Sequence, residues 1–271
     1  MNVNKKLIDI KDRIEERSKD SRSDYLKKIK FSSDHSKSAR KNMGCSNIAH
    51  AFASCDKAQQ NQGANGGTVI GVVSAYNDML SAHAPLKDYP DIIKNSAEKR
   101  NAIARVAGGV PAMCDGITQG EPGMELSLFS RDVIALSTAV AFSHNVFDAG
   151  ICLGVCDKIV PGLVIGALSF GHLPIAIIPA GPMPTGISNE EKSSNRKKYA
   201  SGEIDRSALI LSEQSAYHSS GTCTFYGTAN TNQLIMEVMG LQLPSASFYQ
   251  PNSKERQLLI DRTVECILEL N

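Results

Sequence analysis

Short, almost continuously apolar segments alternate with helical patterns along the middle of the chain, and this alternation limits the possible folds most strongly. The apolar segments cover residues 68–76, 149–155 and 173–181. The helical patterns between them cover residues 91–105, 131–146 and 161–171. Strands that are apolar throughout are buried on both faces, and a helix after each strand is typical of a parallel sheet. The sequence therefore predicts an α/β fold, with a parallel sheet between two helical layers.

The two ends of the chain differ from this middle part. Residues 1–62 are polar, but Leu7, Ile10 and Ile14 recur at helical spacing, which predicts an amphipathic helix followed by a less regular stretch. The glycine-rich residues 61–67 form a strong break. We therefore expect an N-terminal helical segment over 1–62 and an α/β domain over 63–271.

Two further segments outside the alternating pattern are predicted to be helical. Residues 187–214 are highly charged and indicate surface helices or an excursion between core elements, with a solvated face rather than a binding patch. Residues 253–271 indicate a helix that needs a partner surface for its apolar side chains. Those side chains are Leu258, Ile260, Val264, Ile267 and Leu268.

The overall charge excludes some classes of partner. The chain has 29 Lys and Arg against 28 Asp and Glu, so its net charge of +1 gives no reason to expect binding to nucleic acid or to an acidic membrane. No apolar run has the length of a secretory signal or a membrane span. Its seven cysteines are an odd number without the regular spacing of a disulfide framework. We expect a cytoplasmic protein whose cysteines are buried fillers, metal ligands or catalytic thiols.

Polar clusters follow the predicted strands. They cover residues 74–83, 114–125 and 156–162, and a Gly/Thr-rich turn at 221–230 precedes another helix. Ligands of parallel sheets bind at the carboxyl ends of the strands, so we expect these clusters to converge on one pocket.

Two cysteines in these clusters have alternative interpretations. Cys156 precedes Asp157, and a thiolate suits iron whereas a carboxylate suits magnesium. The alternative is a buried cysteine beside a helix-capping aspartate. Cys223 lies in a Gly-flanked turn before a helix, where backbone amides favour a thiolate; the alternative is a turn cysteine without a partner. Cys152 lies within a strand and is expected in the core.

Four long segments resemble the dihydroxyacid/phosphogluconate dehydratase family. They read PAMCDGITQGEPGMELSLFSRDVIALSTAVAFSHNVFDAG, LGVCDKIVPGL, LSFGHLPIAIIPAGPMPTG and GTCTFYGTANTNQLIMEVMGLQLP. The resemblance covers roughly residues 65–250, with a weaker fit in the N-terminal helices. Motifs of this length are far more specific than a single short pattern.

The resemblance implies a lyase that removes water from 6-phospho-D-gluconate, giving 2-dehydro-3-deoxy-6-phosphogluconate in the Entner–Doudoroff route. It implies that Cys156 and Cys223 bind an iron–sulfur cluster, with 4Fe-4S favoured over 2Fe-2S. It also implies a possible Mg²⁺ site at Asp115 and Asp157, with Lys158 carboxylated by carbon dioxide. The substrate would be a small sugar-acid phosphate, and the full-length enzyme would be a homodimer.

One departure from the family concerns the cluster ligands. Many relatives have a third cluster cysteine in the loop after the first strand, where this chain has Asn77 and Asp78. Cys114 is a possible substitute. Asn77, Asp78 and His83 are retained as substrate-binding candidates.

A second departure concerns length, because family members are about twice as long and their C-terminal domain supplies the proposed base. We therefore expect a chain that lacks the family's C-terminal domain, as a fragment or as the product of a split or decayed gene, with little or no turnover on its own. A same-family alternative is a dehydratase of dihydroxyacids or unphosphorylated sugar acids. An alternative of another class is a non-catalytic α/β remnant with merely buried cysteines.

Overall fold

The structure is a computed structural model, which describes residues 3–184, 186–223 and 227–271, without the side chains of 35–39 and 41. Four strands lie in the described residues: β1 (Val69–Ser74), β2 (Ile103–Gly109), β3 (Ala149–Leu153) and β4 (Ile175–Ile178). The helices of the N-terminal half are α1 (Lys5–Asn42), α2 (Cys45–Phe52), α3 (Lys57–Ala64), α4 (Tyr89–Glu98), α5 (Asp115–Thr118) and α6 (Ser127–Phe142). The remaining helices are α7 (Ile159–Leu168), α8 (Asn189–Ala200), α9 (Arg206–Ala216), α10 (Ala229–Val238) and α11 (Lys254–Leu270).

All strand pairs of the sheet are parallel, and the strand order is β2-β1-β3-β4. β1 and β3 are buried along their whole length, as strands covered on both faces must be. Helices α6 and α7 pack against each other, and so do α4 and α11; both pairs also contact the sheet. The predicted α/β fold with a parallel sheet between helical layers is confirmed.

The strand order reverses between β1 and β3. The chain leaves β1 to form β2 on one side and then returns to form β3 on the other. Loops that leave the carboxyl ends of two such strands diverge, and ligands of open parallel sheets bind in the resulting crevice. The loops after β1 and β3 both contain candidate residues.

The second strand of the sheet contradicts the sequence prediction. A helix was expected over residues 91–105, but α4 begins at Tyr89, with Asp88 as its N-cap, and ends at Glu98. Asn101 then adopts a positive φ of 56°, which turns the chain into β2. The helix prediction is therefore wrong for residues after the turn, and β2 was missed.

The N-terminal segment is more helical than expected. α1 extends over 38 residues, and the stretch predicted to be less regular contains α2 and α3. α1 is mostly exposed but contacts the α/β domain: the Tyr25 hydroxyl donates to the Leu168 carbonyl at 2.9 Å, and Arg40 donates to the Gly67 carbonyl at 2.6 Å. Arg40 also forms an ion pair with Asp148. The domain boundary proposed near residue 62 stays a prediction.

The charged segment and the C-terminal helix form as expected, with two differences in detail. α8 and α9 occupy the 187–214 segment. α11 finds its partner surface on α4 and β4, and it buries Ile260, Val264 and Ile267. Leu258, however, is 68% exposed, and Leu259 is buried in its place. No helix in the described part of the chain is both long enough and apolar enough to cross a bilayer.

Candidate functional site

The loop after β3 presents Cys156, Asp157 and Lys158 at the carboxyl end of the sheet, directly before α7. Cys156 has a φ of +76°. Residues other than glycine rarely adopt this backbone conformation, which costs of the order of 1 kcal/mol. This left-handed residue turns the chain between β3 and α7. Backbone strain of this kind is concentrated at functional sites.

Lys158 joins two carboxylates that lie far apart in sequence. Its ammonium forms ion pairs with Asp115, the first residue of α5, and with Asp157, whose Oδ2 lies 2.8 Å from Nζ. The Ser127 hydroxyl at the start of α6 donates to Asp115 at 2.6 Å. The Lys158 side chain is only 13% exposed, and each aspartate side chain is 32% exposed. Two loops and a helix start thus meet at one ammonium group.

The charges at this junction stabilise each other. Burial raises the pKa of Asp115, but the hydrogen bonds from Lys158 and Ser127 outweigh burial and place the pKa below its usual value. Burial lowers the pKa of Lys158, but its two aspartate partners outweigh burial and raise it. At neutral pH the junction therefore contains an ammonium and a carboxylate in their charged forms.

The thiols of Cys114, Cys156 and Cys223 lie close enough to influence one another. Burial raises the pKa of Cys156 far above its usual value, and the negative charges of Cys114, Asp157 and Cys223 raise it further. Burial and the charge of Cys114 likewise raise the pKa of Cys223. Bound metal deprotonates such thiols by supplying the missing positive charge.

Cys223 is held by a turn that contacts the loops after β1 and β4. The Gly221 amide donates to the Ser81 carbonyl at 2.7 Å, and Thr222 forms a backbone bridge to the loop after β4. The Asn230 side chain, on α10, donates to the Cys223 carbonyl at 2.6 Å. Hydrogen bonds and ion pairs thus join these polar segments in pairs, while their convergence on one pocket stays a prediction.

The candidates after β1 occupy different environments. Asn77 is half-buried and accepts a hydrogen bond from the Met79 amide at 3.0 Å, whereas Asp78 is exposed. His83 is 1% exposed, and its Nδ1 lies 2.9 Å from the Ala75 carbonyl. Burial lowers the pKa of His83 to about 4, so the ring is neutral and Nε2 is an acceptor. Within the described residues, this buried Nε2 has no hydrogen-bond partner.

The donor atoms at the sheet end include both the sulfur of cysteines, which suits iron, and the oxygen of carboxylates, which suits a hard cation. Within residues 3–184, 186–223 and 227–271, no group of three or more His, Cys, Asp or Glu side chains is arranged to hold one metal ion. The thiolate ligands of a cluster bind different irons, so they stand farther apart than the ligands of one ion. The carboxylates suit a hard cation, and the Lys158 ammonium now lies between them.

Comparison with known proteins gives the family. The model of the dihydroxy-acid/6-phosphogluconate dehydratase N-terminal domain matches residues 68–271. The chain belongs to this family. Two phosphogluconate dehydratases are similar over nearly the whole chain: that of Pseudomonas aeruginosa is 54% identical over 255 residues, and that of Escherichia coli K12 is 53% identical over 263 residues. These matches cover 94% and 95% of this chain but only 42% and 43% of the relatives.

A dihydroxy-acid dehydratase of the same family is less similar. The enzyme of Aquifex aeolicus is 33% identical over 208 residues, which cover 74% of this chain and 37% of that protein. The chain therefore spans well under half the length of each of these dehydratase relatives.

Sequence reasoning missed two side chains near the site. Ser127 fixes Asp115, but an isolated serine at a helix start carries no distinguishing signal. Lys192, on α8, is 7% exposed, and its ammonium lies 2.8 Å from the Tyr217 hydroxyl and 4.0 Å from the centre of that ring. Burial raises the pKa of Cys223, and the charge of Lys192 partly offsets this rise. The sequence predicted a solvated face for this segment, but Lys192 is buried. The charged residues around it in the sequence gave no sign that this lysine differs from them.

Proposed function

We propose that this chain forms the cluster-binding part of a hydro-lyase that dehydrates 6-phospho-D-gluconate to 2-dehydro-3-deoxy-6-phosphogluconate. The main support is the convergence of Cys156, Cys223 and the Asp115–Lys158–Asp157 junction at one end of the sheet, in a member of the dehydratase family. The 54% identity to a phosphogluconate dehydratase favours this substrate over a dihydroxyacid, because the dihydroxy-acid relative is only 33% identical.

The cysteines and the aspartates of the site would bind different metals, because sulfur is a soft donor and carboxylate oxygen is a hard one. Cys156 and Cys223 would hold an iron–sulfur cluster, while Asp115 and Asp157 would hold Mg²⁺. When bound, a cluster with an open iron position supplies Lewis-acid assistance to the departure of a hydroxyl group. Of the two cluster types in the family, 4Fe-4S is favoured.

The chain's own residues prepare this pocket for a charged, hydroxylated substrate. Ser127 and Lys158 fix the Asp115 carboxylate in its ionised form. The neutral His83 ring offers Nε2 as a buried acceptor for a substrate hydroxyl. The low turnover expected from this chain stays a prediction.

The proposal is tested first by cluster binding. The chain is purified anaerobically and reconstituted with iron and sulfide, and its iron, sulfide and visible absorption are measured. We expect Cys156→Ser and Cys223→Ser each to abolish the cluster absorption, because each removes a thiolate ligand. Cys45→Ser is the matched control, since Cys45 is exposed on α2, and it should bind iron like the unmodified chain. Unmodified chain without iron or sulfide would instead support a non-catalytic remnant.

Substrate choice is tested on the reconstituted chain. The reduced cluster is titrated with 6-phosphogluconate and, separately, with a short 2,3-dihydroxy acid, and its electron paramagnetic resonance spectrum is followed. We expect 6-phosphogluconate to change the spectrum at the lower concentration. The opposite order would favour the dihydroxyacid alternative.

A further inference from the structure

We propose that Cys114 is a third cysteine ligand of the iron–sulfur cluster. This inference rests on the proposed function, which assigns the cluster to Cys156 and Cys223. It would also supply a third cysteine ligand in place of the one that many relatives have in the loop after β1. This chain has Asn77 and Asp78 there, which offer oxygen and nitrogen donors instead of a thiolate.

The ion pairs of Lys158 bring two Cys-Asp steps together. Cys114 directly precedes Asp115 and Cys156 directly precedes Asp157, and both aspartates pair with the same ammonium. Consecutive Cα atoms are about 3.8 Å apart. The Cα atom of each cysteine therefore lies about 3.8 Å from the Cα atom of an aspartate that pairs with Lys158. Lys158 therefore holds together the two backbone segments that carry Cys114 and Cys156.

The electrostatic interactions connect all three thiols. The charge of Cys114 acts on Cys156 and also on Cys223, so Cys114 lies within reach of both assigned ligands. Its backbone is fixed, because the Cys114 carbonyl accepts from the Ile117 amide at 3.0 Å in the first turn of α5. Cys114 is half-buried, as is Cys156.

The other described cysteines have different surroundings. Cys152 is fully buried within β3, and Cys55 accepts a hydrogen bond from Arg105 at 2.9 Å. Cys45 is exposed on α2, and Cys266 is on α11. Of the thiols in the described residues, only Cys114 acts electrostatically on both Cys156 and Cys223.

Three cysteine ligands would suit a cluster that must also bind substrate. Clusters of electron-transfer proteins are held by four cysteines, which leave no iron open. Three thiolates on a 4Fe-4S cluster leave a single iron for the substrate, whereas two leave a pair of irons without protein ligands. A third thiolate thus stabilises the cluster and confines the open position to one iron.

The first test uses variants of the full chain, reconstituted anaerobically. We expect Cys114→Ser to lose most of its cluster absorption on gel filtration under conditions in which Cys45→Ser keeps it. Cys114→Asp should retain some iron through an oxygen ligand, but with altered resonance g-values. Circular dichroism and thermal unfolding of the metal-free variants check that each is folded.

The second test needs no substitution. The unmodified chain is treated with iodoacetamide before and after iron is removed with a chelator, and the modified cysteines are identified by mass spectrometry. We expect Cys114 to be protected with the cluster and alkylated without it, while Cys45 reacts in both states. Protection of Cys156 and Cys223 without protection of Cys114, together with unchanged iron in Cys114→Ser, would overturn this inference alone. Absence of a cluster from the unmodified chain would overturn the proposed function itself.

Discussion

At the scale of single residues, buried charge is the dominant feature of the candidate site. Lys158 forms ion pairs with Asp115 and Asp157, whereas burial dominates the pKa of Cys156 and Cys223, and the charge of Lys192 only partly offsets it at Cys223. Buried thiols without a cation remain protonated, because desolvation disfavours the anion. Lys158 thus neutralises the oxygen donors of the site, whereas a metal bound at the cysteines would supply positive charge that stabilises their thiolates.

His83 provides a prediction about pH. Its pKa is about 4 in the folded chain and about 6.5 when unfolded, so between these values the unfolded state binds more protons. Stability should therefore fall as pH decreases from about 6.5 to 4, by about 3 kcal/mol from this residue. His83→Asn keeps a donor for the Ala75 carbonyl but does not titrate, so urea unfolding should show a weaker pH dependence for this variant. An equal slope in both proteins would contradict the buried, neutral ring.

At the scale of secondary structure, the close packing of α6 and α7 supports the loop that carries Cys156. A Cβ at Gly162 would lie 2.8 Å from the Arg131 carbonyl, and one at Gly166 would lie 2.6 Å from the Ala135 carbonyl. Both obstacles are backbone atoms of α6, which cannot rotate away. The absence of side chains at these two positions thus sets the distance between the helices.

We predict that Gly162→Ala destabilises the chain by about 2 kcal/mol, since overpacking a helix contact forces the backbones apart. α7 begins directly after Lys158, so the displacement should also reduce cluster retention. Urea unfolding and iron content measure the two effects. Ile165→Ala on the exposed side of the same helix is the control and should change both quantities far less. Equal effects of the two variants would exclude a special role for the close contact.

The same scale shows what the sequence could and could not predict. β1 and β3 were predictable because central strands are apolar throughout. β2 is an edge strand whose residues after Ala104 are less buried, so its pattern, with Arg105 in the middle, resembled the end of a helix. Asp115 and Lys158 were named through family resemblance, but their ion pair spans 43 residues and depends on the strand order. Periodicity along the chain contains no information on that order.

At the scale of the whole molecule, Arg40 provides a polar connection between α1 and the α/β domain. Arg40 donates to the Gly67 carbonyl and pairs with Asp148, whose carboxylate also accepts from the Val69 amide at 2.7 Å. Burial raises the pKa of Asp148, and Arg40 opposes this rise. One arginine thus links the end of α1 to the start of β1.

We predict that Arg40→Met loosens α1 and lowers the stability of the chain by about 1–3 kcal/mol, because it leaves a partly buried carboxylate without its cation. Hydrogen exchange should show faster exchange in α1 than in the unmodified chain. Arg22→Met, at an exposed position on the same helix, should leave exchange unchanged. Cluster retention should also be unaffected, since Arg40 lies at the other end of β1. Unchanged exchange in Arg40→Met would show that other contacts hold α1.

The position of the Lys158 ammonium between two carboxylates has a consequence for the order of assembly. The Lys158 ammonium neutralises the two carboxylates, so Asp115 and Asp157 can come together during folding before any metal binds. A hard cation entering later must displace a residue that is already ion-paired, or must wait until that amine loses its charge. If Asp115 and Asp157 hold Mg²⁺ as proposed, the metal should therefore enter by exchange with this ammonium in a chain that is already folded.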